Sequence, residues 1–187
     1  MTALVTGATG FLGSHVARLL AERGQRVRVL VRPGREGRHL DGLPVERVTG
    51  DLRDAASLAR ATDGVEAVDH GPADYRLWAR DPGEIYESNV TGTQNLLQAA
   101  RNANVTRFVY TSTVATVAVP HGDSLPNERT VTSLADMIGH YKRSKWLAEQ
   151  EAGHAAFDRQ LGPRAVAVLA RALSHQRLRS SSLLRPD

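Results

Sequence analysis

Tyr141 and Lys145 stand four residues apart in "GHYKRSKWLAEQE", residues 139–151, a stretch with the composition of a charged helix. Side chains at i and i+4 share one helix face, so a phenol and an ammonium can point into one site together. A phenol in water holds its proton up to about pH 10, and a cation beside it favours the phenolate and brings a general base toward neutral pH. The same residues also fit a solvated basic face, with Lys142, Arg143 and Lys145 in water and Tyr141 half buried. The elements that position the pair decide between the two.

Those elements alternate. "TALVT" (2–6) is an apolar run that predicts a strand, and "FLGSHVARLLAERG" (11–24) has apolar residues at helical spacing and a stop at Gly24. "RVRVLV" (26–31) predicts a second strand ended by Pro33 and Gly34. The cycle repeats with a strand in 44–52, a helix near 54–61, a strand at 64–70, a helix over 84–102 and a strand in "TRFVYTST", 106–113. The Tyr–Lys helix follows this fifth strand, and "RAVAVLA" (164–170) can supply a sixth. Such alternation predicts an α/β fold with a doubly wound parallel sheet, whose ligands bind beyond the carboxyl ends of the strands. Loops 33–43 and 71–83, rich in Gly, Pro and charge, read as turns within one domain.

Between the first strand and first helix lies "GATGFLG", with Gly7, Gly10 and Gly13 spaced G-x-x-G-x-x-G. Glycine there permits a tight turn, a close approach of backbone to a pyrophosphate, and close packing of helix on strand. The unpaired N–H groups at the helix start, around Phe11, Leu12 and Gly13, then receive the negative charge. A strand before this motif and a helix after it complete the context of a Rossmann-type dinucleotide site. Arg32 ends the second strand, where an NAD-selective site presents an acidic residue to the ribose 2′-hydroxyl. Arginine suits a 2′-phosphate, so NADP is favoured over NAD, although a solvated loop arginine also fits. Asp51 and Leu52, after the third strand, are placed to meet the adenine, or Asp51 simply caps the next helix.

Composition excludes several classes. The chain of 187 residues is 41% hydrophobic and 24% charged, as expected of one soluble globular domain. It contains no Cys, hence no disulfide scaffold, thiol nucleophile or thiolate zinc site, and no metal is expected; a reducing cytoplasm fits. No apolar run is long enough to span a bilayer, and no export signal opens the chain. Lys plus Arg balances Asp plus Glu at 18 each over residues 1–151, so the net charge of +4 comes from the 6 basic and 2 acidic residues of 152–187. A basic tail whose only aromatic residue is Phe157 is a poor nucleic-acid surface, and no nucleic-acid partner is expected.

With "VTGATGFLGSHVARLL", "GDL", "NVTGTQNLL", "FVYTSTVAT" and "YKRSK" in order over residues 2–151, the chain resembles the extended short-chain dehydrogenase/reductases, the NAD-dependent epimerase/dehydratase group. "ADYRLWARDP" and "SLADMIGHYKRSKWLAEQE" look most like hopanoid-associated sugar epimerases, with dihydroflavonol-reductase-like proteins next. The resemblance implies an acid/base at Tyr141, a Lys145 that lowers the tyrosine pKa and holds the nicotinamide ribose, and a substrate-binding hydroxyl at Thr113, with Ser112 the alternative. It also implies a supporting role for Asn89, a small-molecule substrate of sugar-like type, and adenine contacts at Asp51 and Leu52. A homodimer formed through the helices around 84–102 and 139–151 is left open.

The chain also departs from the family pattern. The family tends to read His-x-Ala-Ala after the fourth strand, where this chain has His70, Gly71, Pro72 and Ala73, and Pro72 removes an N–H from a loop near the cofactor. After Glu151 the composition turns rich in Arg, Ala, Ser and Leu, and no family motif follows. The expectation is therefore a C-terminally truncated member: a cofactor domain with its Tyr–Lys helix over 1–151, an atypical tail over 152–187, and a substrate domain largely missing. Two functions follow, an NAD(P)-dependent epimerase/dehydratase or reductase, or a non-catalytic dinucleotide-binding module.

Overall fold

Each predicted strand begins or ends within a few residues of its apolar run. In the computed structural model, which describes residues 1–35, 37–117, 130–157 and the strand 166–168, the sheet contains Thr2–Thr6 (β1), Arg26–Val31 (β2), Val45–Thr49 (β3), Ala67–His70 (β4), Arg107–Tyr110 (β5) and Val166–Val168 (β6). Their order is β3-β2-β1-β4-β5-β6, and every neighbouring pair is parallel. The order reverses between β1 and β4, which is where a doubly wound sheet opens its ligand crevice. Of the tail expected over 152–187, residues 158–165 and 169–187 lie outside the described residues, and 152–157 continue the last helix.

The helices are Phe11–Glu22 (α1), Ala55–Thr62 (α2), Gly83–Tyr86 (α3), Gly92–Asn102 (α4) and His140–Phe157 (α5). Strand alternation divides the core into two layers. Leu4, Leu30, Val68, Phe108 and Tyr110 pack with Leu58, Leu96 and Ala148 on the face covered by α2, α4 and α5. Val5, Val27 and Val29 pack on the other face against Ala17 of α1. Both Leu4 and Val5 are fully buried, which is why β1 reads as a continuous apolar run. Burying each such side chain stabilises the fold by about 1.5–3 kcal/mol. No described helix is long and apolar enough to cross a membrane.

Two expectations need correction. The helix over 84–102 is interrupted by a widened, π-type turn at Glu87–Thr91 between α3 and α4. Helical periodicity cannot reveal such a turn, because one extra residue shifts the apolar stripe without erasing it. The strand expected in 106–113 stops at Tyr110, so Thr111, Ser112 and Thr113 lie in the segment that leads into a 3-10 turn at Val114–Thr116.

The β1–α1 turn shows why glycines stand there. Gly7 has φ +72°, and a Cβ on it would lie 2.9 Å from Cβ of Pro72, so the loop after β4 crosses directly over it. A Cβ on Gly13 would lie 2.5 Å from the Gly7 carbonyl oxygen. Gly13→Ala is therefore expected to cost about 1–3 kcal/mol through overpacking, read as a lower urea midpoint with an unchanged slope. An unchanged midpoint would show that α1 can slide outward freely.

Candidate functional site

The carboxyl ends of β1, β2, β3, β4 and β5 carry Gly7, Arg32, Gly50, Gly71 and Thr111 to one edge of the sheet. At that edge, Gly10 N–H donates to the Gly7 carbonyl at 2.9 Å and Ser14 N–H to the Gly10 carbonyl at 3.0 Å. The N–H groups of Phe11, Leu12 and Gly13, in the first turn of α1, have no partner among the described residues. The side chains of Phe11 and Leu12 are exposed beside them. Gly10 differs from its neighbours: its backbone is extended at φ −94° and ψ 174°, and an added Cβ would meet nothing within 4 Å except the Gly7 carbonyl, at 3.3 Å. The backbone of Gly10 is unstrained and its one close packing neighbour is the Gly7 carbonyl, which a side chain would press by a few tenths of an ångström; the N–H groups without partners follow directly after it. An anionic pyrophosphate suits those groups.

Arg32 lies just beyond β2, exposed, and its side chain forms no hydrogen bond or ion pair among the described residues. Its charge reaches Asp51 and Asp74, contributing to the lowered pKa of each. For Asp51 the largest cause is Arg53, whose Nε lies 2.9 Å away. For Asp74 it is Arg76, with Nη2 2.6 Å away. Arg32 is thus a cation whose charge is felt by two carboxylates, both engaged by other arginines. The helix cap left open for Asp51 belongs instead to Asp54, whose carboxylate accepts from Ala56 N–H at 3.0 Å. Leu52 packs partly buried against the core, and its carbonyl accepts from Asn95 Nδ2 at 3.0 Å.

Tyr141 and Lys145 lie on the first turns of α5, which starts after Gly139 at φ +84°. The Tyr141 hydroxyl has no protein partner among the described residues. Lys145 is 2% exposed; its Nζ donates to the Thr111 carbonyl at 2.9 Å and lies 4.3 Å from the ring centroid of Tyr110. Burial lowers its pKa to about 8, against an opposing contribution from Glu149. The helix therefore does not present Lys145 as part of a solvated basic face.

The two candidate hydroxyls part company after β5. Ser112 turns inward and donates to Glu149 Oε2 at 2.6 Å. Thr113 caps the 3-10 turn, its oxygen accepting from Ala115 N–H at 3.2 Å, which leaves its own proton available to a substrate oxygen. Asn89, on the π-type turn, accepts from Asp74 N–H at 2.7 Å and donates to the Asp74 carbonyl and to Ser144 Oγ, each at 3.0 Å. It ties the loop after β4 to α5. Ser144 and Glu149 carry no motif of their own in the sequence, and the one signal is that Glu149 follows Lys145 by one helical turn.

Comparison with known proteins gives the family and the fold that this chain resembles. Residues 3–177 match the model of the NAD dependent epimerase/dehydratase family, farther than the motifs that end near residue 151. A putative dihydroflavonol 4-reductase of Synechocystis is 42% identical over 152 residues, 81% of this chain and 44% of that protein. Sterol demethylase protein B of Methylococcus capsulatus is also 42% identical over 152 residues, 81% of this chain and 46% of that protein. A dTDP-glucose 4,6-dehydratase from Streptomyces venezuelae, solved with NAD bound, superposes with a TM-score of 0.76 at 32% identity, over 90% of this chain and 54% of that one. The chain spans about half the length of the curated relatives it matches.

Proposed function

From its membership of the NAD-dependent epimerase/dehydratase family, we propose that this chain binds NADP through the turn at Gly7, Gly10 and Gly13 and through Arg32, and that Tyr141, Lys145 and Thr113 form a proton-transfer site for oxidation or reduction at a carbinol or carbonyl carbon. The observation that carries this reading is the set of three N–H groups without a partner among the described residues, those of Phe11, Leu12 and Gly13, in the first turn of α1 directly after Gly10. Arg32, without a protein partner among the described residues, favours the additional phosphate of NADP over NAD. Asp51 and Leu52, at the end of β3, border the adenine end of the same crevice. When bound, the nicotinamide supplies or accepts the hydride.

The chain's own residues handle the proton. Tyr141 Oη takes the hydroxyl proton of an alcohol in one direction and returns it to the carbonyl oxygen in the other. The Lys145 ammonium, fixed by Thr111, favours the phenolate. The Thr113 proton is free to bond the substrate oxygen, whereas that of Ser112 is taken by Glu149, which supports Thr113 as the substrate-binding hydroxyl. Of the similar proteins named above, the dTDP-glucose 4,6-dehydratase carries a nucleotide sugar in its name. A sugar-like small molecule is accordingly the proposed substrate class.

Titration of the chain with NADPH and with NADH, followed by nicotinamide fluorescence, tests the reading. NADPH is expected to bind more tightly, and Arg32→Ala to reduce its affinity about 10-fold while changing NADH binding little, as loss of one charged phosphate contact requires. Equal affinities in the parent, or no binding by a folded chain, would refute the NADP assignment.

A further inference from the structure

Glu149 is 6% exposed, and a buried carboxylate is costly unless its oxygens are bonded and its charge is balanced. Here Oε2 lies 2.6 Å from Ser112 Oγ and 2.9 Å from Thr116 Oγ1, the residues that flank Thr113, Val114 and Ala115. Thr116 Oγ1 also lies 2.7 Å from the Thr113 carbonyl. Both threonine and serine hydroxyls are buried, so this is an internal fastening and not a surface contact. On its own helix, Glu149 shares a face with Lys145 and Tyr141, at successive intervals of four residues.

We propose that Glu149 is a positioning residue of the Tyr141–Lys145 site: its carboxylate fastens the segment bearing Thr113 to α5 and provides the counter-charge of Lys145. The proposal rests on the proton-transfer roles proposed above for Thr113, Tyr141 and Lys145. The groups around Lys145 support it. From the sheet, Tyr110 of β5 lies under the ammonium and His70 of β4 feels its charge. Burial keeps both neutral, raising the phenol far above its ordinary range and lowering the imidazole to about 3. From α5 itself come Tyr141 and Glu149, and it is Glu149 that acts on the ammonium in the direction opposite to burial. One side chain therefore couples the placement of the substrate-binding hydroxyl to the charge that favours the phenolate.

Lys142 and Lys145 are the chain's two lysines, which gives the experiment an internal reference. Lysine carrying an NMR-active carbon at Cε would be titrated in the parent chain, in Glu149→Gln and in Glu149→Asp. The Gln variant is expected to lower the Lys145 midpoint by about half a pH unit or more, a threefold change in its acid constant, without moving Lys142. The Asp variant, which keeps the charge but draws it back by one methylene, should shift Lys145 less in the same direction. A packing role alone would leave the midpoint in place, so an unmoved Lys145 signal in folded Gln protein overturns the proposal; should that variant fail to fold, an unmoved signal in the Asp variant does so. NADPH titration of the same samples reports separately on the cofactor: a parent that fails to bind it refutes the proposed function, while the Lys145 midpoint still decides the counter-charge.

Discussion

Gly10→Val is expected to weaken NADPH binding by at least about 100-fold, a loss of roughly 2.7 kcal/mol, in a chain that remains folded. Gly10 differs from the other two glycines of the turn. Gly7 is held at positive φ beneath Pro72, and Gly13 abuts the Gly7 carbonyl, so larger residues there disturb the protein itself. Gly10 has an extended backbone that valine adopts readily, and the one close neighbour of an added Cβ is the Gly7 carbonyl at 3.3 Å, which must give by a few tenths of an ångström, far less than the 2.5 Å clash at Gly13 demands. The two methyl groups of valine would add bulk to the turn that leads directly into the N–H groups of Phe11, Leu12 and Gly13, where the close approach of a pyrophosphate needs bare backbone. Charge-assisted bonds to a phosphate contribute about 1.5–3 kcal/mol each, so losing even one or two accounts for the expected effect. The measurement is a fluorescence titration paired with a urea curve: an unchanged urea midpoint with binding lost supports the cradle, and undiminished binding would place the nucleotide elsewhere.

The same contrast explains what the sequence could reveal. Strand and helix order follows from local apolar periodicity, and the Gly-rich turn announces itself because its neighbours in sequence are also its neighbours in space. The π-type turn at Glu87–Thr91 carries no such local mark, and its Asn89 acquires partners only when Asp74 and Ser144 arrive from distant segments. Glu149 is a sharper case. In sequence it is one more acid in a charged helix; in the fold it meets Ser112, 37 residues away, and lies buried. Arg53 shows the reverse, since its grip on Asp51 is local and yet hidden behind two equally reasonable assignments for that carboxylate. His70 registered only as a family residue before an unusual Pro72, although it is fully enclosed by β1, β5 and α4.

That enclosure makes His70 the origin of the second large effect. Thr93 donates its hydroxyl proton to the Asn89 carbonyl at 2.6 Å, so its oxygen accepts from His70 Nε2–H at 3.0 Å. The other ring nitrogen, Nδ1, then accepts from Thr6 Oγ1 at 2.8 Å. This assigns a neutral imidazole with both nitrogens satisfied. Protonation would turn Nδ1 into a donor, leaving Thr6 only the Asp69 carbonyl at 3.4 Å, and would bury a charge within reach of Lys145. Burial first, and Lys145 second, lower the His70 pKa from 6.5 to about 3. The unfolded chain binds this proton below pH 6.5 and the folded chain does not until about pH 3, so His70 favours unfolding increasingly as pH falls through that window. Asp69 acts oppositely: burial raises its pKa to about 6, so between there and 3.8 the folded chain holds a proton that the unfolded chain has released, which stabilises the fold on acidification. The two contributions largely mask each other in the parent protein, and the informative quantity is its difference from His70→Gln, in which Asp69 is retained. The variant should be less stable at pH 7, having lost ring packing against Phe108 and Tyr110, and the gap should narrow by about 2–3 kcal/mol by pH 4.5. Urea unfolding of both proteins at the two pH values measures it, and a gap that stays constant would mean that His70 is not held neutral by the fold.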